Sequence, residues 1–96
     1  MDRKKEAYRQ RIIGRLQLWE NKIAHLRAGA QNMEGNTRHQ YEARLRELEA
    51  CSRTVFGRYA DLLLADAKLY EEKRMLLDAA ARRMEELLID FALQPV

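Results

Sequence analysis

The chain has 96 residues, enough for one domain. Its 18 Lys/Arg against 15 Asp/Glu leave a net charge of +3, and 47% of residues are hydrophobic against 34% charged. That balance excludes a disordered polyelectrolyte, which is poorer in apolar side chains, and a membrane-embedded chain, which is poorer in charge.

The first predicted element is a helix over about residues 3–33. Ile12, Leu16, Trp19, Ile23, Leu26, Ala30 and Met33 follow alternating steps of four and three, the seam of a coiled coil. Tyr8 lies one turn before Ile12 and is expected to shield the end of that seam. Arg15, Gln17, Glu20, Asn21, Lys22 and Arg27 fill the faces between. Such a helix requires a partner.

A turn is predicted at residues 34–36. Gly35 suits the left-handed end of a helix, and Thr37-Arg38-His39-Gln40 matches a capping box. One unbroken helix is the competing reading, because positions 30, 33, 37, 41, 45 and 48 also fit a period of 3.6 residues.

The second predicted helix covers about residues 37–92 and is apolar over a wider angle. One line holds Tyr41, Leu45, Leu48, Val55, Tyr59, Leu62, Leu69, Leu76, Ala80 and Leu87. A second line beside it holds Phe56, Tyr59, Leu63, Ala67, Tyr70, Leu77, Ala81, Met84, Leu88 and Phe91. Two adjacent seams pack against two neighbours, as in three- or four-helix arrangements. Helices of roughly 46 Å and 84 Å leave the far third of the second uncovered in a simple hairpin. The expected fold is therefore all-α, an elongated antiparallel helical hairpin that self-associates into a bundle, most simply as a homodimer. The residues assigned to self-association are Leu16, Trp19, Ile23, Leu26, Phe56, Tyr59, Leu63, Tyr70, Leu77, Met84, Leu88 and Phe91.

Charge is unevenly placed. Residues 1–15 carry six Lys/Arg and two acids, whereas residues 61–96 carry five and eight. This gradient favours antiparallel neighbours and, with no single basic stripe, disfavours nucleic acid as a partner. An anionic membrane surface is allowed by the basic opening residues but not favoured. Nothing approaches the ~20 apolar residues of a bilayer span, and no secretory leader follows the charged opening. A lone cysteine, Cys51, forms no internal disulfide, so a cytoplasmic location is expected.

No pattern points to catalysis, a metal or a cofactor. His25 and His39 stand two heptads apart, ~21 Å even along one straight helix, and neither belongs to a metal-binding motif. Glu71-Glu72 and Glu85-Glu86 are neighbours that diverge by ~100° on a helix, so they make no paired carboxylate site. The glycines are isolated and form no phosphate loop. Residues 84–93 form an acidic and apolar amphipathic element suited to a bundle end or to docking on another protein.

The spacing Tyr8…Leu16-x2-Trp19-x3-Ile23-x2-Leu26, then Tyr41-x3-Leu45-x2-Leu48, resembles small bacterial coiled-coil proteins of the stress-response and hypothetical kind. The likeness covers residues 5–50 and implies a soluble, non-enzymatic helical protein. The expected function is a scaffold or adaptor acting through homo-oligomerisation and contact with an unidentified protein partner. The alternative is an amphipathic helical protein that reversibly coats membranes or unfolded clients under stress.

Overall fold

The computed structural model describes residues 3–93, which form three α-helices joined by two short turns. The first, α1, spans Arg3–Gly29 and runs into a 3-10 turn at Ala30–Asn32. Its predicted stripe is the buried one: Tyr8, Ile12, Leu16, Trp19 and Ile23 are all covered, and Ala30 continues the line. Cations occupy the solvent side, as amphipathic spacing requires.

The predicted turn is present, with its parts arranged differently. Met33 and Glu34 are extended, and Gly35, at φ 63°, opens the second helix, α2 (Gly35–Leu64), rather than closing α1. Glu34 is the N-cap, without a side-chain capping bond, and the Arg38 N–H already donates to the Glu34 carbonyl at 3.4 Å. Thr37 thus falls inside the helix, and no Thr37/Gln40 capping box starts it. The left-handed glycine reverses the chain before Thr37 is reached. A Cβ at Gly35 would meet no neighbour within 4 Å, so the cost of Gly35→Ala is purely conformational. We expect a loss of about 1–2 kcal/mol, read by urea denaturation, with the fold retained.

The largest departure from expectation lies further on. The helix predicted over 37–92 is two helices, because α2 ends at Leu64 and the third, α3, spans Tyr70–Leu93. Ala65 is extended, at φ −73° and ψ 137°. Asp66 supplies the physical reason. The Leu69 N–H donates to Asp66 Oδ1 at 3.0 Å and to the Asp66 carbonyl at 3.2 Å, and the Lys73 N–H then donates to the Leu69 carbonyl at 3.0 Å. Asp66 thus closes the single turn over 67–69 that leads into α3, its carboxylate satisfying a backbone donor as an N-cap side chain does, while the Leu69 carbonyl accepts the first bond of the helix itself. Glu71 and Glu72 follow in the first turn of α3, where the helix dipole favours negative charge.

With the chain turned back at 65–69, the wide apolar face is covered from within. Val55, Leu77 and Met84 have no exposure at all, and Ile12, Leu48 and Ala81 have 1%. The all-α bundle is built by three helices of one chain, measuring 52 × 20 × 18 Å, where the sequence suggested copies of a two-helix hairpin. α3 occupies the place that the two-seam argument gave to a second copy.

Cross-helix ties fix the directions. Arg27 pairs with Glu49 and Arg9 reaches Tyr59, so α1 and α2 are antiparallel. Arg83 pairs with Glu47 and the Cys51 thiol meets the Ala80 carbonyl, so α2 and α3 are antiparallel too. α1 and α3 are consequently parallel, and their ties Tyr8–Asp78 and Arg15–Glu85 both join residues 70 apart. The charge gradient is therefore matched inside the chain, between parallel neighbours, rather than between antiparallel copies.

Candidate interaction surface

Two polar clusters brace the bundle. At the start of α1 the Tyr8 hydroxyl donates to Asp78 Oδ1 at 2.5 Å. Arg74 holds the other oxygen of Asp78 at 2.7 Å and also pairs with Glu71 at 2.8 Å. The Lys5 ammonium sits 4.3 Å from the Tyr70 ring centre, and Arg15 stacks over Trp19 while pairing with Glu85. Burial, followed by the hydrogen bond and the charge of Asp78, raises the Tyr8 phenol well above its ordinary value. It stays a donor, not a base. The hydrogen bond from Arg74 holds Glu71 below the usual carboxylate range. The cluster sets the register of α1 on α3.

At the opposite end Tyr41 links all three helices. Its hydroxyl donates to the Leu26 carbonyl in the last turn of α1 at 2.6 Å. Its ring meets Phe91 edge-on at 5.0 Å and 84°, and the Arg44 guanidinium lies 4.7 Å from the same Phe91 ring. Gly29 permits the approach, since a Cβ there would stand 3.2 Å from the Tyr41 hydroxyl oxygen. The predicted stripe placed Tyr41 on the core side; its hydroxyl contact with α1 has no sequence signal.

The chemistry-bearing side chains are scattered. His25 and His39 are both exposed, on α1 and α2. Burial raises the Cys51 thiol, which keeps it protonated and poorly nucleophilic. Among the described residues no group of three His, Cys, Asp or Glu is placed to hold a metal ion. No helix among them is long and apolar enough to cross a membrane.

The apolar side chains left outside are more informative. Leu63, Leu64 and Leu69 flank the α2–α3 turn and are 55%, 88% and 43% exposed. Met75, Leu76, Ile89 and Leu93 are exposed along α3, with Leu18 on α1 and Phe56 on α2. Beside the turn, a cleft of about 290 Å³ is lined by Lys5, Arg9, Tyr59, Leu62, Leu63 and Tyr70, among others. At the far end, Lys22, His25 and Leu26 of α1 face Leu88, Phe91 and Ala92 of α3 across a largely apolar cleft of about 360 Å³.

No family model, curated protein or solved structure matches this chain.

Of the twelve residues assigned to self-association, Leu16, Trp19, Ile23, Leu77 and Met84 are buried inside the single chain. Leu26, Tyr59, Tyr70, Leu88 and Phe91 are partly covered against the same core. Phe56 and Leu63 alone of the twelve stand exposed. Apolar spacing does not separate the residues that the fold covers from those it leaves out: Phe56, Leu63 and Ala67 of one predicted line, and Leu69 and Leu76 of the other, stand exposed. The spacing gives no role to Leu64 or Asp66, which matter only once the chain bends between them; Asp66 is one of three charged residues, with Lys73 and Arg83, on the first apolar line, and nothing local singles it out.

Proposed function

We propose that this chain is a non-enzymatic helical scaffold or adaptor that acts through self-association and protein–protein contact. The observation that carries the reading is the set of three exposed leucines, Leu63, Leu64 and Leu69, grouped at one turn of a bundle whose core is otherwise closed. Apolar surface of this kind is retained at a cost in solubility, and partner contact is its common use. The dispersed histidines and the protonated Cys51 give catalysis no support. Light scattering on a size-exclusion column, with a small-angle scattering profile, tests the reading. A mass above 11.3 kDa that rises with concentration is expected. A solitary particle at every concentration removes the self-association part.

One observation favours the second reading, a reversible coat on membranes or unfolded clients. Lys5 and Arg9, with Glu6 paired to Arg9, line the same cleft as Tyr59, Leu62, Leu63 and Tyr70, so charged groups with a net positive balance and apolar groups meet at one end. Flotation with anionic vesicles, accompanied by a change in helicity, would select it over the scaffold.

A further inference from the structure

The α2–α3 turn contains no glycine and no proline. It reads Leu64-Ala65-Asp66-Ala67-Lys68-Leu69, and leucine, alanine and lysine are all strong helix formers. The apolar line also continues through it. Phe56, Tyr59, Leu63, Ala67, Tyr70 and Leu77 keep helical spacing from the middle of α2 to the middle of α3 as though no break existed. Locally, the bend is marked by the Asp66 carboxylate accepting from the Leu69 N–H at 3.0 Å.

We propose that this turn is a hinge, and that the chain self-associates by exchanging α3 between two copies as α2 and α3 straighten into one helix over 35–93. The occupant of each α1–α2 groove is then the α3 of a second copy. The proposal rests on the self-association reading above and gives it a mechanism. Every contact that α3 makes in the single chain, including Tyr8–Asp78, Arg15–Glu85 and Tyr41–Phe91, is remade with the α3 of the other copy. Only the hinge is new. Exchange of an identical element is a low-cost route to dimers, and short hinges invite it.

The exposure of Leu63 fits this second state. In the bent chain Leu63 and Leu64 stand in water beside the turn. In a straightened helix Leu63 joins Tyr59, Ala67 and Tyr70 on one seam, and two such helices crossing at the hinge bury that seam against each other. The helix over 35–93 would be ~89 Å long, against the 52 Å long axis of the single bundle.

Four proteins compared by light scattering and small-angle scattering test the proposal: the unaltered chain, Asp66→Ala, Ala67→Pro, and a chain with Gly-Gly inserted between Ala65 and Asp66. Asp66→Ala removes the cap of the bent state and adds a helix former to the straight one. Its dimer dissociation constant should fall by about tenfold or more, with a particle nearly twice as long. Ala67→Pro places proline directly after Asp66 in the turn ahead of α3, a position that accepts it, whereas the interior of a straightened helix does not. It should remain a single bundle of unchanged helicity. Should circular dichroism show that the proline variant fails to fold, the Gly-Gly chain decides, because a longer flexible hinge favours the bent form. If the unaltered chain dimerises and neither hinge variant weakens the dimer, self-association survives and the exchange is overturned. If the unaltered chain and Asp66→Ala are both solitary at every concentration, the exchange and the self-association reading fall together.

Discussion

Leu77→Asp should unfold the protein at neutral pH, while Leu63→Asp should leave it folded. Both leucines lie on the same sequence-predicted seam, yet Leu77 has no exposure and Leu63 has 55%. Truncating a buried leucine costs about 2–5 kcal/mol through lost burial and residual cavity. A carboxylate in its place adds several kcal/mol more, because Leu77 belongs to the buried apolar cluster and has no exposure to water. Together these approach or exceed the roughly 5–15 kcal/mol that hold a domain folded. At Leu63 the new carboxylate remains in water, and the change should stay within about 0.5 kcal/mol. Far-UV circular dichroism and urea denaturation separate the two cases. A cooperatively folded Leu77→Asp protein would mean that α3 is not the lid over the core.

The second large effect belongs to Tyr41. Tyr41→Ala should lower stability by about 3–5 kcal/mol, the range for truncating a buried aromatic ring. The side chain is 7% exposed, and its loss removes the edge-on contact with Phe91 as well as the bond to the Leu26 carbonyl. Tyr41→Phe keeps the ring and deletes only the hydroxyl, so a loss of about 1 kcal/mol is expected. The difference between the two variants, measured in urea at one temperature, divides ring packing from the tie to α1. Equal losses would show that the hydroxyl, and not the ring, is what matters.

Much of the fold was legible because apolar spacing is a local signal. The stripe from Ile12 to Ile23, the core line from Tyr41 through Leu62 and the turn near Gly35 all follow from periodicity and one permissive residue. The bend at 65–69 was not legible for a physical reason: its residues favour helix, and a single Asp66 cap together with distant packing overrides them. A continuous helix over 37–92 requires an outside partner for its broad apolar face and leaves the charge gradient to neighbouring copies. Once Asp66 turns the chain, Leu77, Ala81 and Met84 meet the core of α1 and α2, and Arg15 finds Glu85 in its own chain. Tyr8, expected to shield an apolar end, instead binds Asp78 across a separation that no local pattern encodes.

The parallel pairing of the outer helices has a kinetic consequence. Tyr8–Asp78 and Arg15–Glu85 each close a loop of 70 residues, whereas the two helical hairpins close through short turns. Large loops carry the greater entropic barrier, so the hairpins assemble early and the first helix locks onto the last near the end of refolding. Weakening that lock should hasten its release while barely slowing the collapse that precedes it.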